Sequence, residues 1–396
     1  LCKVWESRLP GTDVPIYFIE YNLFFGRPDV YDSPWGACQD NDHRFTFFTR
    51  AAINLCNYLK WYPDVFHCHD WPTGLLPVYL NTHDRGTRVG QAASVMTIHN
   101  LQFQGLFYSG LVEWAHLTRK DVFRADNLEC VGGANMLKGG IYNATKITTV
   151  SPTYAEEIKG PIGGCGLDSV LRYKGGDMVG ILNGIDTEVW NPATDKALPA
   201  NYSPEDLAGK AVCKRELQKL FGLEQDPKIP IFGVVARLSH QKGLDLLNAI
   251  IPKLMAEMKI QIVILGTGEQ HLQWNFSAHA AKYPGRVGVY IGFDAKRAKL
   301  IQAGSDAFVI PSRFEPCGLT QMYAMRYGTL PLARATGGLK DTIDQYNEAD
   351  ASGNGFLFDQ ATADGLYYTI GWACSTWYDR PQHWAKLQQS AFKKAV

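Results

Sequence analysis

The chain has 396 residues, 46% of them hydrophobic and 20% charged, which suffices for two or three globular cores. Lys plus Arg and Asp plus Glu both number 39, so the formal net charge is zero and no nucleic-acid or anionic-membrane partner is expected. No apolar run approaches the roughly 18 residues of a membrane span, and nine scattered cysteines without a CxxC read as a reduced compartment.

In the first half, short apolar or β-branched runs at 14–20, 64–67, 94–99, 146–150 and 178–182 alternate with helical patterns at 44–60, 73–81, 135–143 and 152–158. Such alternation predicts parallel strands covered by helices. The second run ends in His67-Cys68-His69-Asp70-Trp71, and the third in His99-Asn100. An acid beside a tryptophan suits a sugar, the carboxylate taking hydroxyls and the ring the apolar face. A histidine at a strand end can hydrogen-bond a sugar hydroxyl or a developing charge. His67 and His69 share one face of their strand, but packing is the expected role of both. With Asp70 they form the one set that a metal-dependent phosphohydrolase would use; no HExxH or comparable set supports it, so neither metal nor cofactor is expected.

Asn183-Gly184-Ile185-Asp186, then Trp190-Asn191-Pro192 and a Pro/Ala/Asp-rich stretch to about 204, read as a linker. Beyond it, strands at 231–236, 261–265, 287–291, 307–310 and 330–333 alternate with helices near 243–258, 268–283, 295–303, 318–327 and 338–345. The expected fold is α/β, two doubly wound Rossmann-like domains facing a cleft, with ligands at the carboxyl ends of the strands. The expected divisions are 1–182, 183–375, and a helix at 376–396 packing back toward the first domain.

The strand at 231–236 is followed by Arg237, and Lys242 stands just before a helix-opening glycine; two cations at such a junction suit a diphosphate. Gly266-Thr267-Gly268 is weak evidence of a ligand, since tight strand–helix turns need glycine anyway. After 307–310 comes Pro311-Ser312-Arg313-Phe314-Glu315-Pro316-Cys317-Gly318-Leu319-Thr320-Gln321. It delivers Glu315 and then a glycine-started helix whose first amides can hold an anion. Acid and amides together suggest a glycosyl-phosphate substrate. A retaining glycosidase needs a second carboxylate about 5 Å away, and Asp70 is the one candidate, so the pattern favours transfer over hydrolysis.

Arg237–Asp245 and Pro311–Gln321, with Tyr327-Gly328-Thr329-Leu330-Pro331 and Thr336-Gly337-Gly338-Leu339, resemble the bacterial glycogen synthase and plant starch synthase family. So do His69-Asp70-Trp71, Thr97-Ile98-His99-Asn100-Leu101, Thr149-Val150-Ser151-Pro152 and Leu182-Asn183-Gly184-Ile185-Asp186. The resemblance implies a GT-B fold and transfer of glucose from ADP-glucose to the non-reducing end of an α-1,4-glucan, glycogen or starch, with retention of configuration. It implies that Arg237, Lys242 and the amides of Gly318, Leu319 and Thr320 bind the donor diphosphate, and that Glu315 and Cys317 line the glucosyl site. His99 and Asn183 would contact the transferred glucose, Asp70 would lie toward the acceptor, and Phe293 would stack near the adenine. The first domain would then be the acceptor side and the second the nucleotide-sugar side.

Two features depart from the family pattern. Its opening strand and K-x-G-G-L loop have no match before His99, so a chain shortened by about 30 residues or more, and again at its carboxyl end, is expected. Related transferases often carry a second acid eight positions after the first; Tyr323 at that position fits the glucan-synthase branch, so it is no departure, and no catalytic role is expected of it. The alternative is a catalytically silent glucan-binding homologue. The expected compartment is cytoplasmic in a bacterium, or the plastid in a plant or alga.

Overall fold

The computed structural model describes residues 2–28, 30–33 and 36–394. The chain divides into two compact units, Leu1–Val150 with Ala155–Ile181 and Ser151–Tyr154 with Leu182–Val396. Residues 151–154 thus part from their sequence neighbours. Asp341 explains this locally: its carboxylate accepts the Thr153 amide at 2.9 Å and the Thr153 hydroxyl at 2.6 Å.

The first unit opens with an antiparallel hairpin of β1 (Lys3–Arg8) and β2 (Pro15–Glu20). The strand expected at 14–20 therefore exists, but it does not join the parallel sheet. Gly11, at φ +78°, turns the chain back too soon for a parallel crossover, which needs roughly a dozen residues. The sheet proper holds β3 (Val65–His69), β4 (Ala93–Ile98), β5 (Lys146–Thr149) and β6 (Met178–Gly180) in the order β6-β5-β4-β3, every pair parallel. Helices Asn41–Leu59, Leu75–Asn81 and Met136–Asn143 accompany it, with Ile53, Val78, Met96, Ile98 and Leu137 fully buried. The first of these helices begins three residues before the expected start. Arg44, within its first turn, is 2% exposed. Its guanidinium donates to the carbonyls of Phe24 and Val30 and to Asn41 Oδ1, which is how a buried cation is tolerated.

The second unit is built on six parallel strands: β7 (Ile231–Val235), β8 (Gln261–Gly266), β9 (Val287–Ile291), β10 (Ala307–Ile310), β11 (Leu330–Arg334) and β12 (Phe356–Phe358). Their order is β9-β8-β7-β10-β11-β12, the 3-2-1-4-5-6 pattern of a doubly wound sheet whose direction of growth reverses between first and fourth strands. The near-continuous apolar runs of β7, β8 and β10 follow from burial on both faces. Leu217, Ile231, Val263, Phe308, Leu339 and Phe392 belong to one core. β12 and the helices Ala208–Leu220 and Ala363–Asp379 are additional to the expected elements.

The expected carboxyl-terminal helix starts later than 376. Position 376 falls inside helix Ala363–Asp379, and the following helix, Pro381–Lys394, buries Trp384, Leu387 and Phe392 within the second unit. Gln388 Nε2 donates to Gly328 O at 2.8 Å, and Phe392 covers the face of Gly328. Its amphipathic pattern finds a partner in its own unit. Residues 395 and 396 lie outside the described residues.

Candidate active site

The switch point between β7 and β10 is where an open α/β sheet presents its ligand crevice. The loop after β7 carries Arg237 and Lys242 and ends at Gly243, φ +66°. A Cβ at Gly243 would lie 1.9 Å from Pro311 O, so only glycine lets this loop press onto the one after β10. That approach sets Lys242 Nζ 2.6 Å from Glu315 Oε2. Ser312 Oγ donates to the same carboxylate oxygen at 2.9 Å. Glu315 is 8% exposed. A charge so enclosed needs both an ion-pair partner and a hydrogen-bond donor, and it has both.

Arg237 is exposed, with Gln241 Oε1 at 3.2 Å from its Nη2. Arg237, Lys242, Ser312 and Thr320 line a cavity of about 210 Å³ at the ends of β7 and β10. Two cations and two hydroxyls there suit a phosphoryl group.

Gly318 takes φ +70°, and the helix that follows is Thr320–Arg326, two residues later than expected and only seven residues long. Among the described residues, the amides of Gly318, Leu319 and Thr320 donate to no protein acceptor. Cys317 is buried, and burial pushes its thiol pKa up, opposed by the Asn183 amides. The structure therefore brings Asn183 beside Cys317. The loop after β11 closes from the other side: Cβ atoms at Gly337 and Gly338 would lie 2.0 Å from Glu315 O and 2.1 Å from Cys317 O. Gln321 Nε2 completes the turn by donating to Gly318 O at 2.9 Å and Thr342 Oγ1 at 3.0 Å.

Arg313, with no role expected from its sequence position, holds the two loops together. Its guanidinium forms a bidentate pair with Asp245 at 2.6 and 2.7 Å and donates to His240 O at 2.7 Å. Its amide donates to Gln241 O at 2.9 Å, and Arg334 donates to its carbonyl. Hydrogen bonding from Arg313 also holds the Asp245 carboxyl below its usual pKa. Arg313 thus ties the Lys242 loop to the Glu315 loop. Its only sequence signal was its place between Ser312 and Glu315. Gly266 and Gly268 serve the same packing, since Cβ atoms there would meet Ala236 O at 2.0 Å and Leu238 O at 2.3 Å. Phe293, after β9, is 87% exposed. Tyr323 stacks on Trp190, ring centroids 3.7 Å apart and planes 12° apart.

In the first unit, β3 and β4 bring His69 and Asp70 to His99. His69 Nδ1 lies 2.9 Å from His99 Nε2, and Asp70 Oδ1 accepts the His99 amide at 2.8 Å. Asp70 takes φ +55°, uncommon for a residue with a Cβ, and burial raises its carboxyl pKa. Two expectations fail here. His67 and His69 are exposed rather than packed, their rings 4.3 Å apart. Trp71 is 9% exposed, set edge-on against Phe45 and over Gly105, so its ring has no face for a sugar. Because Asp70 turns its carboxylate to the His99 amide, the two histidines and Asp70 do not converge; no group of three or more His, Cys, Asp or Glu among the described residues is placed to hold a metal ion.

Two Rossmann-like units, one with a cation–carboxylate pair at its switch point, define a glycosyltransferase of the GT-B class. Residues 1–173 match the family model of the starch synthase catalytic domain, and residues 217–388 that of glycosyl transferases group 1. Glycogen synthase 1 of Geobacter sulfurreducens is 47% identical over 99% of this chain and 78% of its own length. Glycogen synthase of Geobacillus stearothermophilus is 44% identical over 99% and 79%. Among solved structures, the catalytic domain of starch synthase IV from Arabidopsis thaliana, bound to ADP and acarbose, superposes with a TM-score of 0.89 at 35% identity, over 99% of this chain and 80% of that one. The chain belongs to the glycogen and starch synthase family and has that family's glucosyltransferase activity, with a nucleotide-sugar donor and a glucan acceptor. No helix among the described residues is long and apolar enough to cross a membrane.

Proposed function

We propose that the donor is ADP-glucose and the acceptor the non-reducing end of an α-1,4-glucan, with the anomeric configuration kept by front-side transfer. The bond from the glucosyl C1 to the diphosphate breaks, C1 bonds to the acceptor hydroxyl oxygen, and the hydroxyl proton passes to the leaving diphosphate. Arg237, Lys242 and the amides of Gly318, Leu319 and Thr320 stabilise the charge that gathers on that diphosphate. Glu315 and Cys317 line the glucosyl site, His99 and Asn183 contact the glucose, Asp70 lies toward the acceptor, and Phe293 stacks near the adenine. The observation that carries this reading is Lys242 paired with Glu315 beside Arg237, at the ends of β7 and β10. ADP in the Arabidopsis structure supports the adenine nucleotide. The compartment follows the source, cytoplasm in a bacterium or plastid in a plant or alga.

Incubation with radiolabelled ADP-glucose and glycogen tests the reading. Label should enter the glucan, and Arg237→Ala or Lys242→Ala should lower turnover about tenfold or more, roughly 1.4 kcal/mol per decade. Full turnover in both variants would refute the diphosphate assignment, and glucan binding without incorporation would refute the transfer reading.

A further inference from the structure

Tyr323 occupies the position where related transferases often carry a second acid, and in this chain it contributes a ring instead. That ring lies flat against Trp190, at 3.7 Å and 12°. Trp190 is held from three further directions. Tyr327 meets it edge-on, with planes 88° apart; Lys299 Nζ sits 5.2 Å from its ring; and Arg326 Nε donates to its carbonyl at 3.1 Å. Asp195, farther along the same segment, accepts Tyr327 OH at 2.5 Å and pairs with Lys299 at 2.9 Å. Within the segment from Asn183 to Trp190, residues 186–190 form a closed turn. Asp186 Oδ1 accepts the amides of Glu188 and Val189 at 2.9 and 3.0 Å, and Asp186 O accepts the Trp190 amide at 2.9 Å. Asn183 stands three residues before Asp186, against Cys317.

We infer that Tyr323 and Trp190 are positioning residues: their stack clamps the Asn183–Trp190 turn onto helix Thr320–Arg326 and thereby fixes Asn183 against Cys317 and the transferred sugar. Asn183 and Trp190 stand seven positions apart, so a shift at Trp190 is passed to Asn183 along a short arm. Helix Thr320–Arg326 begins two residues after Gly318, so one element carries both the anion-binding turn and the clamp. Without the stack, the arm loses its face-to-face contact with helix Thr320–Arg326 and keeps the edge-on Tyr327 contact and the Lys299, Arg326 and Asp195 contacts; misplacement of a reacting group by about 1 Å can cost ~100-fold in rate. A flat aromatic pair suits the task because it resists tilting while leaving no charge near the donor. Burial raises the Tyr323 hydroxyl pKa, so the position stays neutral.

The inference rests on the reading that Asn183 contacts the transferred glucose, and the test has two arms. In the kinetic arm, Tyr323→Ala and Trp190→Leu should lower kcat about tenfold with little change in KM for ADP-glucose, while Tyr323→Phe, which keeps the ring, should retain wild-type kcat. Combining either with Asn183→Ala should add no further loss, since all act through one side chain. In the second arm, the native protein is treated with iodoacetamide and alkylation of Cys317 is followed by peptide mass spectrometry. Labelling should be several-fold faster in Tyr323→Ala and Trp190→Leu than in the wild type or Tyr323→Phe. Additive losses with Asn183→Ala, a Tyr323→Phe as slow as Tyr323→Ala, or unchanged Cys317 labelling in both clamp variants would overturn the inference. If Asn183→Ala turned over normally, the glucose-contact reading would fall, while the labelling arm would still decide the clamp. Trp190→Leu, at a partly buried position outside the helix, keeps the test open should Tyr323→Ala fail to fold.

Discussion

Lys242 Nζ lies 2.6 Å from Glu315 Oε2 although 73 residues separate the two in the chain. Neither loop alone specifies that contact. It arises because β7 and β10 are neighbours in the sheet and Gly243 allows their loops to touch.

Replacing Glu315 by Gln keeps its volume and removes the charge that Lys242 faces. Turnover should fall about tenfold or more, and stability by ~1–2 kcal/mol in urea denaturation, the pair being partly open to solvent. A Glu315→Gln protein with wild-type turnover would remove this carboxylate from the mechanism.

Gly338 has no room for a side chain, since a Cβ would stand 2.1 Å from Cys317 O. Gly338→Ala should therefore displace the Glu315–Gly318 turn, costing ~1–3 kcal/mol in thermal or urea unfolding. Its donor affinity should fall along with its stability. An unchanged melting temperature and unchanged KM would show that the two loops are not tightly packed.

Phe293 is 87% exposed, so its loss should leave stability within about 0.5 kcal/mol. If its ring stacks near the adenine, Phe293→Ala should raise KM for ADP-glucose several-fold and leave kcat nearly unchanged. A KM equal to the wild type's would remove the stacking role.

Lys210 is buried, its ammonium held by Ala303 O, Ser305 O, Tyr327 O and Thr329 Oγ1 at 2.8–3.0 Å. Burial brings its pKa down from 10.5 to about 8. Between those values the unfolded chain binds more protons than the folded one. The contribution of this group is thus fully present above about pH 10.5 and lost as pH falls through about 8, by up to ~3 kcal/mol. The stability difference between the wild type and Lys210→Met should therefore increase from pH 8 to 10.5, as read by urea denaturation at each pH. A difference that stays flat across this window would mean that Lys210 titrates normally.

The central strands of the second unit were legible because a strand buried on both faces must be apolar along its length, and the helices between them because their apolar residues recur with helical period. β12 was not legible: three residues between Gly355 and a polar turn carry too little pattern. Arg237, Lys242 and Glu315 were found because a strand end followed by a glycine-opened helix is a local signature. Arg313 was passed over because its value lies in its pairing with Asp245, 68 positions away in the chain.

By itself, the sequence determined the central strands of the second unit, the helices between them and which polar side chains stand at strand ends, since these are set by patterns a few residues long. Only the tertiary structure decided that Trp71 is enclosed while His69 reaches His99, and that Tyr323 stacks on Trp190. Those outcomes depend on which distant surfaces meet when the core closes, and the spacing of residues along a chain does not encode that pairing.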